Sequence, residues 1–163
     1  MSKLWIRFLA GICLLVISTT TSFAAVGELD TNFSVDGKLD PAVGIEPEYG
    51  VVSTVQSDGK IVVVGQSSNG TDFDLALKRY NVDGSVDATF GSGGESIYAL
   101  SFDQYVMGAV VASDDSIWIA GYQDASGSLD SLVAHFDSSG VYISHQVVDF
   151  SGNSTNDWFS SIT

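Results

Sequence analysis

The segment Asn81-Val82-Asp83-Gly84-Ser85-Val86-Asp87 sets oxygen-bearing side chains at alternate positions around a glycine. An EF-hand loop gathers calcium with this spacing at its third, fifth, seventh and ninth places, with glycine at the sixth. The ends depart from that pattern. Arg79 stands where the first carboxylate belongs and Phe90 where a bidentate Glu closes the shell. The segment therefore reads first as a turn. Asn81 and Asp83 cap it by side-chain hydrogen bonds, and Asp87 opens the next corner. Calcium held by Asn81, Asp83 and Asp87 is the alternative.

Other chemistry is sparse. His135 and His145 are the only histidines, and the single cysteine, Cys13, lies far from both in an apolar N-terminal run, so zinc spacing is absent. No serine sits in a Gly-x-Ser-x-Gly elbow and no glycine-rich loop ends in Lys-Ser/Thr, which leaves neither a nucleophile nor a phosphate cradle to assign. Asp114 and Asp115 could share a proton as paired carboxylates do in a glycosidase cleft, but adjacent turn residues are more simply solvated. Tyr98, Tyr105, Trp118, Tyr122, Tyr142, Trp158 and Phe159 could stack on sugar rings or peptides. Strand alternation instead places most of them in the core. Asn32, Asn69 and Asn153 each open an Asn-x-Ser/Thr sequence, read here as coincidental. No catalytic, cofactor-binding or metal residue is assigned, and the expectation is a protein that is not an enzyme.

The elements that must position these residues have period two. Ile61 to Val64 and Ile117 to Ala120 are short apolar runs between Asp/Gly punctuation, which predicts central strands buried on both faces. Val51 to Val55 and Val106 to Ala112 precede them across Asp58-Gly59 and Asp114-Asp115, so each pair forms a hairpin. Third strands follow at Phe73 to Lys78 and Leu132 to Phe136. Asp74 to Tyr80 would also suit a helix, since Leu75 to Arg79 are good helix formers, but fewer than two turns lie between turn signals and the counterpart at Leu132 has weaker helix formers. Glu95 to Phe102 and Val141 to Phe150 are either fourth strands or the opening of the next unit. Pro41 and Pro47 mark an irregular or edge segment.

The strands recur. Asp30, Phe33 and Gly37 return 57 residues later as Asp87, Phe90 and Gly94; Gly65, Asp74, Tyr80 and Gly84 return 56 later as Gly121, Asp130, Phe136 and Gly140. A third copy opens at Val141 to Phe150 and runs on through Asp157-Trp158-Phe159. Four strands in about 57 residues is the size of a propeller blade. The fold class is thus all-β, with β-propeller-like blades of four antiparallel strands, about 2.4 repeats, in an incomplete propeller.

The run Asp58-Gly59-Lys60-Ile61-Val62-Val63-Val64-Gly65, followed by Asp72 through Gly91, resembles the delta-60 repeat of exported bacterial proteins. Leu129 to Gly140 with Asp157-Trp158 is similar to a related repeat of seven-bladed β-propellers. The resemblance implies blades of large secreted or surface proteins and carries over no catalytic residue. The sequence departs from the repeat where Asp115 and Ser116 replace the Gly and Lys of the hairpin turn, and where Ser34 replaces the Gly after Phe33.

Residues 1–24 read as a secretory signal peptide. Lys3 and Arg7 precede the apolar run Phe8 to Ile17, too short to span a membrane, and Ser22 and Ala24 suit cleavage after Ala24. Residues 25–163 form the repeat region, in units of about 29–85 and 86–141 with a partial unit 142–163. They hold Lys38, Lys60, Lys78 and Arg79 against all 20 acidic residues, a net charge of −16, and no cysteine. Such a charge repels nucleic acid and anionic lipid. The expected localisation is secreted, periplasmic or cell-surface, in a bacterial protein. Its role would be structural, adhesive or interactive, with protein or glycan surfaces, further blades or copies of itself as partners. A glycan- or calcium-binding module of a larger exported protein is the alternative.

Overall fold

The computed structural model describes residues 29–34, 36–39, 48–125, 127–150 and 156–163. The signal peptide, Pro41, Pro47 and the Asn153 sequence lie outside them. Eight strands form, and no helix occurs among the described residues. β1 (Glu48–Val55), β2 (Ile61–Ser68), β3 (Phe73–Tyr80) and β4 (Glu95–Tyr98) make one antiparallel sheet in the order β1-β2-β3-β4. β5 (Asp103–Val111), β6 (Ile117–Asp124), β7 (Leu129–Phe136) and β8 (Tyr142–Val148) repeat the order in a second. The helical alternative for residues 74–80 is not adopted: β3 pairs residue for residue with β2 from Ile61↔Tyr80 to Ser68↔Phe73.

Both segments that could have opened a new unit complete an existing sheet. Glu95–Tyr98 pairs with β3 and Tyr142–Val148 with β7. The sheets therefore span 48–98 and 103–148, out of step with the sequence units.

Corresponding details repeat at an offset of 56. The β1–β2 pair slips register between Gly50 and Val52, and the β5–β6 pair between Val106 and Gly108. At the second bulge the backbone comes so close that a Cβ on Gly121 would lie 1.9 Å from the Tyr105 carbonyl oxygen, so only glycine fits. The β1–β2 turn closes with Gln56 N to Lys60 O at 2.9 Å, and the β5–β6 turn with Ala112 N to Ser116 O at 2.9 Å. Its left-handed residue is Gly59 in the first turn (φ +84°) and Asp115 in the second (φ +64°).

The sheets pack face to face. Alternation sends Val62, Val64, Leu75 and Leu77 of the first sheet against Val106, Ile117, Ile119, Leu132, Ala134 and Phe136 of the second. Phe90, fully buried, joins them from the connection between β3 and β4. Its ring lies on Gly140, where a Cβ would sit 2.4 Å from Phe90 Cζ. Phe33 lies against Gly84 in the same way, and the residue after each Phe donates its N–H to the facing turn, Ser34 to Asp83 O and Gly91 to Ser139 O. Each Phe corner thus docks on the β3–β4-type turn of the sheet that follows it. The opposite face of the first sheet buries Val63, Ala76 and Tyr80 against Leu39 and Ile61.

Candidate interface between and beyond the sheets

Asn81, Asp83 and Asp87 are not arranged as one ligand set. Asp83 Oδ1 accepts from the Ser85 amide at 3.0 Å and its hydroxyl at 2.6 Å, which hold its pKa below the ordinary carboxylate value. Asn81 Nδ2 donates to Ser85 Oγ at 3.0 Å. Both are turn caps. Asp87 Oδ1 opens the next corner by accepting from Thr89 N and Oγ1, while its Oδ2 takes Arg79 Nε at 2.8 Å and Lys60 Nζ at 3.1 Å. The Thr89 hydroxyl, the Thr89 amide, Lys60 and the Arg79 charge together outweigh burial and hold Asp87 far below the usual carboxylate range. Among the described residues, no group of three or more His, Cys, Asp or Glu could hold a metal ion.

Arg79 is the centre of a polar joint that the sequence did not announce. It is 8% exposed and lies over Phe90, its Cζ 4.7 Å from the ring centroid. One amine donates to Gln56 Oε1 at 2.9 Å and to the Ser138 carbonyl of the second sheet at 2.7 Å. Gln56 in turn donates to the carbonyls of Asp115 and Ser138, both at 2.9 Å. Beside it, the Asp115 carboxylate accepts from Ser57 N at 2.7 Å and Ser57 Oγ at 2.5 Å. The paired carboxylates diverge, because Asp114 bonds Ser116 within its own turn. The signal for this joint was an arginine at an inward register of β3, in line with Phe73, Leu75 and Leu77.

A second joint lies at the other end of the sheets. Phe73 N donates to Asp103 Oδ1 at 2.8 Å, tying the start of β3 to the start of β5. The C-terminal segment meets the same end of β7: Leu129 N, the counterpart of Phe73 N, reaches Asn156 Oδ1 at 3.4 Å, and Asp157 N donates to the Leu129 carbonyl at 2.7 Å. Farther on, Ser161 and Ile162 pack over Gly108. Residues 156–163 thus lie on the second sheet's outer face, in the place that β5 takes on the first.

That outer face carries Trp118, Ala120, Ser131, Val133 and His135, at the registers of Val62, Val64, Leu75, Leu77 and Arg79. Ser131 Oγ and His135 Nε2 are buried there without a hydrogen-bond partner. Trp118 stacks on His135 with ring centroids 3.9 Å apart, above a cavity of about 200 Å³ also lined by Val133, Ser144, His145 and Gln146. His145 Nδ1 pairs with the Tyr142 hydroxyl at 2.6 Å. The two histidines serve different partners.

The aromatic residues depart from the core expectation. The deeply buried rings are Phe90, Phe136 and Tyr80; Tyr98, Tyr105, Trp118, Tyr122, Tyr142 and Phe159 are half-buried, and Trp158 is 54% exposed. Tyr98 and Tyr142 do stack across the two sheets at 3.5 Å and pack on the core. Tyr105 stacks on Tyr122 at 4.8 Å, and Tyr122, Met107, Leu129 and Trp158 line an open cavity of about 220 Å³. Alternation assigns a side chain to a face; it does not say whether another sheet covers that face.

Residues 56–90 match a family described as a domain of unknown function (DUF5122) β-propeller. The match runs from the β1–β2 turn through β2 and β3 to Phe90, so it contains Gln56, Lys60, Arg79 and Asp87 of the polar joint. No curated protein matches the chain. The two sheets are unclosed, as successive blades of a partial propeller are, and no helix of the described residues is long and apolar enough to cross a membrane.

Proposed function

We propose that this chain is an exported, non-enzymatic propeller segment of the delta-60 type, with a structural or adhesive role at a bacterial cell surface or in the periplasm. Its working surface is the outer face of the second sheet, which receives a further four-stranded sheet. The observation that carries this reading is the repeated joint: residues 156–163 meet β7 as β5 meets β3. Aligned in sequence on Asp103 and Asp157, Trp158 matches Gln104, which is fully buried. Its exposure is that of an inter-sheet residue without its cover. Repeat proteins are stable as sums of units and interfaces, so residues 25–163 on their own, with that face uncovered, are weakly stable or associate. Sedimentation of residues 25–163 should give an oligomer or a low melting temperature; a monomer melting cooperatively at high temperature would refute the reading. Export is tested separately, by secretion of a product that begins at Ala25.

The exposed Trp158 beside Tyr122 favours one second reading, a glycan-binding module, because an open aromatic face stacks on sugar rings. Glycan-array binding lost on Trp158→Ala would replace the first reading with this one.

A further inference from the structure

The β2–β3 loop holds Asn69 followed by Gly70, both exposed. Gly70 has φ +90° and no atom within 4 Å of where a Cβ would stand, so the side of the loop at its Cα is open. Asn69 is held on three sides. Its Oδ1 accepts from Thr71 N at 2.9 Å and Asp72 N at 3.1 Å. Its Nδ2 donates to Asp72 Oδ1 and, at 3.0 Å, to Asp74 Oδ2. The Gly70 N–H is directed at Ser68 Oγ at 3.1 Å.

We propose that this loop is a self-processing site, at which the Gly70 backbone nitrogen attacks the Asn69 side-chain carbon and converts Asn69 to a carboxylate. A bond forms between Gly70 N and Asn69 Cγ, the Cγ–Nδ2 bond breaks, and ammonia leaves. Water then opens the five-membered imide at either carbonyl, giving aspartate or isoaspartate. Each group around Asn69 has a part in this. The Thr71 and Asp72 amides face the oxygen on which negative charge develops, as donors of an oxyanion hole do. Ser68 Oγ stands where the Gly70 proton departs, and the Asp72 and Asp74 carboxylates flank the leaving nitrogen.

The product changes the fold locally. Asp74 is 4% exposed, its Oδ1 has no partner, and Asn69 supplies the hydrogen bond to its Oδ2. Burial already raises its pKa, against the Asn69 hydrogen bond and with the nearby Asp72 charge. A carboxylate at position 69 replaces that donor with a like charge at the head of β3, next to the Phe73–Asp103 joint between the sheets. The loop thus acts as a slow clock on that joint.

The test is peptide mass analysis with isoaspartate detection on residues 25–163, incubated in mildly alkaline buffer either folded or in concentrated urea. A built site predicts that Asn69 converts several-fold faster in the folded protein than in urea, and faster than Asn32, Asn81 or Asn156. Gly70→Ala and Ser68→Ala should slow it while the circular dichroism stays unchanged. Equal or faster conversion in urea, or an Asn69 that outlasts the other three in the folded protein, would overturn the proposal. Asn69→Asp should lower the melting temperature, more at neutral pH than at a pH where carboxylates protonate.

Discussion

Asp115 occupies a left-handed backbone position that its repeat counterpart, Gly59, fills without a side chain. A non-glycine residue there is strained, and the sequence alone marks it as a fault in the turn. The structure supplies its compensation, since its carboxylate holds Ser57 of the other sheet through two hydrogen bonds. Asp115→Ala keeps the strain and loses the bonds, whereas Asp115→Gly loses the bonds but relieves the strain. The glycine variant should therefore melt above the alanine one, and the reverse order would show that the backbone is not strained. Asp87 makes a pH prediction. Its folded pKa is depressed, so its contribution is fully present above the unfolded value of about 3.9 and is lost as pH falls below it. Asp87→Asn should flatten the acid limb of stability against pH; a limb of unchanged slope would contradict the role given to this carboxylate. Arg79→Leu leaves Asp87 buried with only Lys60 for charge, at a cost of about 3 kcal/mol by denaturant titration.

The strands and their turns were legible because period-two patterning and Asp-Gly corners are local signals. Phe73–Tyr80 became a strand despite its helix formers because β2 and β4 pair with both its edges. What could not be read locally is any contact made through a distant carbonyl. Gln56 and Arg79 converge on the backbone of Ser138, 82 and 59 residues away, and no side-chain pattern announces a carbonyl. The Phe corner is the joining element at this scale. Phe90 touches the core of both sheets and leaves Gly140 no room for a side chain. Phe90→Ala should cost about 3–5 kcal/mol and separate the single unfolding transition into two as the sheets uncouple. One undivided transition with a loss below about 1 kcal/mol would place the coupling elsewhere. Gly140→Ala should be similarly damaging, since it adds a clash to a positive φ of +83°.

At the scale of the whole molecule, the described residues form two sheets with one interface between them, and the proposed function adds a second on the outer face of the second sheet. The inner interface is sealed by Arg79; at its register in the second sheet stands His135, with a buried nitrogen that has no partner. The net charge of −14 opposes approach of another acidic copy, so salt should promote any association, by screening. The most direct measurement supplies the proposed further sheet. In sequence Asp157-Trp158-Phe159 aligns with Asp103-Gln104-Tyr105 and Thr163 with Ala109, so the chain can be extended after Thr163 with its own residues 110–148, bearing W118V in the appended copy. If the outer face of the second sheet is an inter-blade surface, the extended protein melts at a higher temperature. Trp118 and Trp158, the two tryptophans of residues 25–163, also become shielded from acrylamide quenching. Unchanged quenching with no gain in melting temperature would contradict the account.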